Sequence, residues 1–399
     1  MKKILLTTIA LLSMASASVF GMYGVDTDWI FFLTHGNQFR ARLDQLGFTL
    51  GNDTIKGTFG FDNNKGVGGV YGGILSPNDP YGNSGHYSFI PSISMGIGYT
   101  SSAIGIGVGY NATIGGIVQR FKGKEESKAV NQVTHTPVLV LNAMDNAFRM
   151  AIPIQVYVDK DKYANDAGSY NITAVSVDSQ FRYYTGLEML PQVRLYLRYG
   201  GVSSTEKAGE TTTKSKDMES FGFDFRLYFG AMVEEVALQP YVKLVYNGAL
   251  GKYHNVTRVE AVKYMKGLTT SEGARWEKSA WDLQLVAGLG LTANSDIVSL
   301  YLEPTLGLKV NQYGSATDKN VKEVYGLGYG VYAEIYITPL KNLEWYFEAE
   351  IGNLNSSVSV DGPDTTGTGG TTTYSGSATS KNYLGFNATT GITWYLPAL

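Results

Sequence analysis

Apolar residues recur at every second position through most of this chain, and that period fixes what the chain can become. Phe89, Pro91, Ile93, Met95, Ile97 and Tyr99 fall on one face of an extended segment. Ile104, Ile106, Val108, Tyr110 and Ala112 form another such row, and Phe148, Met150, Ile152, Ile154, Val156 and Val158 a third. Further rows run through Val193–Tyr199, Phe221–Phe229, Val236–Leu244, Trp281–Leu291 and Val298–Val310. Period two is the signature of strands with one face in an apolar medium. The intervening residues are small, polar or charged, as with Gln192, Arg194, Tyr196 and Arg198.

The links between rows alternate in length. Short ones lie near Thr100–Ser102, Met144–Ala147, Ala231–Glu234, Ala293–Asp296 and Pro339–Asn342, and a medium one near Thr185–Pro191. Long polar segments lie near Asp62–His86, Phe121–Thr134, Lys160–Tyr170, Ser203–Met218, Asn247–Ser279, Gln312–Lys322 and Asn353–Ser380. Short turns at one end and long loops at the other describe an up-and-down transmembrane barrel. The expected fold is therefore an all-β, antiparallel barrel of about 14 strands counted from Thr54, within 12 to 16. The segment Ser203–Lys216, rich in Thr, Glu and Lys, reads as solvated loop, as does the Gly-, Thr- and Ser-rich stretch from Asn353 to Ser380. Pro91, Pro153, Pro240 and Pro304 sit inside strands, where a missing donor predicts a bulge or a local break.

Export is written at the N-terminus. Lys2 and Lys3, the uncharged run Ile4–Met14 and the small residues Ala15–Ser18 make a three-part secretory signal over residues 1–21, with cleavage expected after Ala17 or Gly21. The apolar run is too short to span a bilayer as a helix. A mean hydropathy of −0.08 argues against a helical membrane protein, whereas 48 glycines and 28 tyrosines suit strands of which only alternate residues meet lipid. The absence of cysteine excludes a disulfide framework and a lipidated N-terminal cysteine. The net charge of −3 implies no nucleic-acid partner.

Residues 22–47 form a distinct segment, and 48–399 the barrel. Asp28 caps a predicted short helix through Ile30, Phe31 and Leu33; Phe39, Leu43 and Leu46 recur at helical spacing, and Gly47 stands as its C-cap. This segment is placed at the periplasmic end or in the lumen. A first strand competes, because Phe39, Ala41 and Leu43 also alternate. The last strand runs from about Lys381 to Leu396, and the chain ends Trp394-Tyr395-Leu396-Pro397-Ala398-Leu399 rather than on the aromatic residue with which many bacterial barrels end.

Candidate chemistry is confined to the inner face. Period two turns Arg149, Arg182, Arg194, Arg198 and Arg226 inward from the middle strands, and Glu303, Glu334, Glu344, Glu348 and Glu350 inward from later ones. Acidic and basic walls would set a transverse field on an ion or sugar in an open pore; the bland alternative is charge pairing across a packed lumen. The glycines Gly105, Gly107 and Gly109, and likewise Gly326, Gly328 and Gly330, alternate with Ile, Val, Leu or Tyr and lie on the inner face, not before a helix as a phosphate cradle requires. His35, His86, His135 and His254 lack metal-pair spacing. No catalytic, cofactor or metal site is expected, and no enzyme.

The run Thr34-His35-Gly36-Asn37-Gln38-Phe39-Arg40-Ala41-Arg42, with Gln45-Leu46-Gly47-Phe48 and Ile55-Lys56-Gly57-Thr58-Phe59-Gly60-Phe61, resembles the variable surface proteins of intestinal spirochaetes (Brachyspira). So does the earlier block Ser18–Gly24 with Trp29. The resemblance implies an abundant, antigenically variable outer-membrane protein with exposed loops, and it transfers no site residues. A diffusion porin for small hydrophilic solutes is the second reading, and a loop-borne adhesin or a barrel enzyme stands further back. Expected partners are outer-membrane lipid, the barrel-assembly machinery, host or antibody molecules at the loops, and other copies of the chain.

Overall fold

A computed structural model describes residues 30, 33, 38–42, 45–63, 86–89, 91–115, 117–120, 131–162, 168–233, 236–250, 281–312, 323–353 and 385–397. The proposed signal lies outside them. The strands, in chain order, are β1 (Gln38–Arg42), β2 (Gln45–Gly51), β3 (Ile55–Asn63), β4 (His86–Phe89), β5 (Pro91–Thr100), β6 (Ile104–Gly115) and β7 (Ile117–Arg120). Next come β8 (Asn131–Ala143), β9 (Phe148–Lys162), β10 (Gly168–Tyr184), β11 (Gln192–Ala208), β12 (Thr211–Tyr228), β13 (Ala231–Val233) and β14 (Val236–Ala249). The last five are β15 (Trp281–Asn294), β16 (Val298–Gln312), β17 (Glu323–Leu340), β18 (Leu343–Gly352) and β19 (Gly385–Tyr395).

Seventeen strands form one antiparallel sheet in which neighbours in space are neighbours in sequence, and β4 and β7 pair separately. At its two chain ends, β1 pairs with β2 through Phe39↔Phe48 and with β19 through Phe39↔Trp394. Among the described residues, fourteen strands of nine residues or more follow Thr54, as the alternation predicts; β1, β2 and the short β4, β7 and β13 bring the described strands to nineteen.

Burial along the strands is inverted relative to a water-soluble core. On β6, Ile104, Ile106, Val108 and Tyr110 are exposed while Gly105, Gly107, Asn111 and Thr113 are buried. On β8, Leu139 is exposed between buried Val138 and Val140, and Thr134, Thr136 and Asn142 share the buried face. Leu285, Leu302, Leu306 and Leu308 are likewise exposed. Several buried polar atoms bond to each other: Asn111 Nδ2 donates to Ser92 Oγ at 2.7 Å and to Ser94 Oγ at 2.8 Å, and the Thr49 and Thr58 hydroxyls lie 3.1 Å apart. Satisfied in this way, buried polar groups avoid the desolvation cost of an unpaired donor.

Short turns along one edge use side-chain oxygens in place of backbone acceptors. Asn52 Oδ1 accepts from the amides of Thr54 and Ile55. Ser101 Oγ accepts from the amide of Ile104, and Ser295 Oγ from that of Val298. Such local bonds are why Asn and Ser favour turns. The β8–β9 link is different: Met144, Asp145 and Asn146 all have φ between 53° and 67°.

Three expectations meet the structure differently. The helix expected within Met22–Gly47 gives way to β1 and β2 over its second half. Phe39 and Phe48 gain partners on both sides, and Phe48 packs 6.0 Å from Phe59 between ring centroids, so pairing outweighs the helical spacing of Phe39 and Leu46. The segment Ser203–Lys216 is no loop but a paired extension of β11 and β12, with Glu206↔Thr213 and Lys207↔Thr212 in register. Its β-branched threonines favour strand, and Gly209, with φ of +59°, makes the tip. Three of the four prolines break a ladder as expected. Pairs skip from Val177↔Ile154 to Gln180↔Ala151 beside Pro153, and from Gly288↔Thr305 to Leu291↔Leu302 beside Pro304. Pro240 stands where β12 ends and β13 begins. Pro91 instead opens β5.

Left-handed backbone costs a non-glycine residue about 1–2 kcal/mol. The variant Met144→Gly is therefore expected to raise the stability of folded protein in detergent by about 1 kcal/mol. Urea unfolding followed by tryptophan fluorescence checks it, and an unchanged or lowered midpoint would refute the strain.

Candidate functional site: the charged buried face

Residues directly opposite in an antiparallel pair share a face of the sheet. The pairings Arg149↔Arg182, Arg182↔Arg194, Arg194↔Arg226 and Arg226↔Lys243 therefore align five cations side by side across β9, β10, β11, β12 and β14. Arg182 and Arg194 are 2% and 1% exposed. Tyrosines interleave with them. The Arg194 guanidinium carbon stands 4.4 Å from the Tyr228 ring centre, Arg226 4.9 Å from Tyr196, and Arg149 5.1 Å from Tyr184. Tyr228 packs on Tyr241 at 5.3 Å. These aromatic faces attract the cations electrostatically and fix the planes of the guanidiniums.

Two carboxylates stand within this block. Asp224 takes the Arg226 Nε and Nη2 hydrogens at 2.9 and 2.7 Å, with Lys243 Nζ at 3.8 Å. Asp178 lies 3.4 Å from Arg198 Nε. Forked arginine–carboxylate bonds are among the stronger polar contacts in proteins, and a buried carboxylate without such partners would be costly.

The acids gather farther along the sheet. Glu334 lies directly opposite Glu348, and Tyr332 lies opposite both Glu303 and Glu350. Glu303 accepts from Tyr241 Oη at 2.6 Å and from Tyr301 Oη at 2.5 Å, so it joins the acidic block to the aromatic row of the basic one. Glu334 is 3% exposed. Glu344 sits apart, taking a 3.3 Å bond from Tyr395 Oη. The ten charged residues of the sequence reading thus fall into two blocks, with Glu344 and Arg198 at their margins. Lys243, Asp178, Asp224 and the four tyrosines were not among them. Each lies on the polar face of its own strand's alternation, but which of them stand abreast depends on pairing across strands.

A second feature lies on β5 and β6. Ile30 and Leu33 are fully buried and pack with Val138, Val140 and Ala151 of β8 and β9. Four glycines make room for them. A Cβ at Gly109 would lie 2.4 Å from Ile30 Cγ2; at Gly96, 2.8 Å from Leu33 Cδ1; at Gly98, 2.9 Å from Leu33 Cβ; and at Gly107, 3.1 Å from the same atom. The alternating glycines of β6 are thus a trough shaped to the chain's own N-terminal region. By contrast, a Cβ at Gly326 would meet nothing within 4 Å.

Of the four histidines, His135 bonds through Nδ1 to the Tyr110 hydroxyl on the exposed face. His35 and His254 lie outside the described residues, and His86 is described only in its β4 pairing. Among the described residues no group of three His, Cys, Asp or Glu side chains is placed to hold a metal ion, and no helix is long and apolar enough to cross a membrane, which says nothing of crossing by strands.

Apolar side chains outward and charged ones inward on one antiparallel meander define an inside-out β protein. The chain belongs to the family described as Serpulina hyodysenteriae variable surface protein, whose model matches residues 2–395. No curated protein matches the sequence. Solved structures similar to the chain at low identity include two outer-membrane proteins. One is described as "Bacterial polysaccharide outer membrane secretin", with 9% identity, 91% of this chain and 96% of that chain covered, and a TM-score of 0.41. The other is "OmpT (in-vitro folded), an outer membrane protein of Vibrio cholerae", with 10% identity, 90% and 96% covered, and a TM-score of 0.31.

The natural chain has no cysteine, so an Ile30→Cys variant carries a single reporter. It is expected to react with a maleimide at least about tenfold more slowly in folded protein than in urea, since a buried thiol is shielded. Adding Gly109→Leu should remove most of that protection. Equal rates in the folded single variant and in urea would show that Ile30 is not seated on the glycines.

Proposed function

We propose that this chain is an outer-membrane β-barrel surface protein. In this reading the sheet closes through β1 and β19, the exposed apolar face meets lipid, and the connections at the edge opposite the short turns face the outside. The observation that carries it is the inverted burial, with leucines, isoleucines and aromatics outward and arginines and glutamates inward. A lipid-facing band and a polar interior are what a transmembrane barrel requires, and closure leaves no open edge of unpaired backbone. The secretory signal and the surface-protein family support the same address. The role proposed is that of a variable surface antigen, non-enzymatic, with its partners being lipid, the assembly machinery, and host or antibody molecules at the long connections.

An epitope tag placed after Thr368, in the connection between β18 and β19, tests the orientation. Antibody is expected to label intact cells, and labelling that needs permeabilised cells would overturn it.

The charged interior supports a second reading, a diffusion porin. Planar-bilayer recording with purified folded protein is expected to give discrete conductance steps if the interior is open. Their absence, together with slow labelling of Ile30→Cys, would mean that the N-terminal region occupies the interior and the porin reading fails.

A further inference from the structure

Glycine inside a strand weakens it, and its presence there often marks a place where another piece of chain comes close. On β5 and β6 four glycines meet in two directly opposed pairs, Gly96↔Gly109 and Gly98↔Gly107. The next strands continue the patch, with Val138 opposite Gly109, Val140 opposite Gly107, and Ala151 opposite Val140. These seven residues carry no charge, unlike the arginine and glutamate blocks of the same face. They form a pit. Ile30 and Leu33, which belong to no strand, fill it and are both 0% exposed. Backbone as well as side chain comes close, since a Cβ at Gly98 would stand 3.0 Å from the Leu33 carbonyl oxygen. In the sequence Trp29, Phe31 and Phe32 flank the pair, and four residues join it to β1.

Strand number makes this contact consequential. Among the described strands, β1, β2 and the fourteen long ones make sixteen around the sheet. A closed barrel of about that size is too wide for wall side chains alone to fill, and leaves an aqueous channel unless something occupies it. We propose that the contact is autoinhibitory. Ile30 and Leu33 anchor the N-terminal region in the interior and keep the resting protein shut to small hydrophilic solutes, and the interior opens when they leave the pit. The contact is apolar packing against glycines, and the pair stays tethered to the sheet through β1. Release and return are therefore intramolecular, and the tether keeps the effective concentration of the anchor high. Any side chain added at Gly96, Gly98, Gly107 or Gly109 would compete with the anchor for the same space. The inference rests on the barrel reading and adds to it a closed resting state.

Planar-bilayer recording on full-length protein tests the anchor, after heat-modifiable mobility on gels has shown each preparation to be folded. Wild-type protein without that mobility shift would sink the barrel reading and the anchor with it; every later result bears on the anchor alone. Wild-type protein is expected to stay closed for most of the record. The variant Ile30→Asp/Leu33→Asp sets two carboxylates against an apolar pit, where their burial is costly, and should raise the fraction of time open at least about tenfold. A folded double variant as silent as wild type, or wild type that conducts continuously, would overturn the proposal. Should the double variant fail to fold, Leu33→Cys/Gly107→Cys decides. A Cβ at Gly107 lies 3.1 Å from Leu33 Cβ, near the separation of about 3.8 Å that a disulfide spans, and the natural chain has no cysteine to compete. Oxidation is expected to lock the channel closed, and reduction of the same protein to bring back openings. No cross-link, or records that do not change between the oxidised and reduced forms, would refute the anchor.

Discussion

Hydrogen bonding between each strand and its two neighbours is the constraint on which everything else here rests. An extended strand satisfies none of its own backbone groups, so it needs partners on both sides. The chain meets this by laying strands side by side in sequence order, with β1 set between β2 and β19. Once those ladders are in place, side chains have only two directions available. The outward one carries Ile106, Val108, Leu285 and Leu306, and the inward one carries Asn111, Arg194, Asp224 and Glu334. The position of every functional group follows from that division and from register.

Register is what turns scattered charges into blocks. Arg182 and Arg194 are twelve residues apart in the chain, yet antiparallel pairing across the Thr185–Pro191 turn sets them abreast. A shift of one residue would send the same arginines outward. The turn is held by the Thr185 hydroxyl, which donates to the Leu190 carbonyl and accepts from the Leu187 amide. A short polar turn at the edge thus contributes to the electrostatics of the buried face.

Much of this was legible beforehand, and the reasons are physical. Period two is a property of each strand alone, so the apolar rows from Phe89 to Val310 could be read without a partner strand. Chain punctuation also showed in the short links and in Pro153, Pro240 and Pro304, whose missing donors interrupt the ladders nearby. Features that depend on contact between distant segments were not legible. Phe39 and Leu46 satisfy a helical spacing and a strand spacing alike, and only β19 and β3 decide between them. The Thr- and Lys-rich stretch after Ser203 looks like loop by composition, but its threonines pair across Gly209. Each arginine's face is legible on its own strand; their alignment with Lys243, and the tyrosines between them, belong to the pairing.

The fit of Ile30 and Leu33 into four glycines has a bearing on inheritance. Two stretches more than sixty residues apart in the chain are matched in shape, atom against missing atom. A crossover between related genes that falls between them would join one member's N-terminal region to another's β5 and β6. It would yield a sound protein only where both parents keep the same small residues facing the same bulky ones. A crossover between Leu33 and Gly96 is thus tolerated less readily than one that takes both stretches from the same parent.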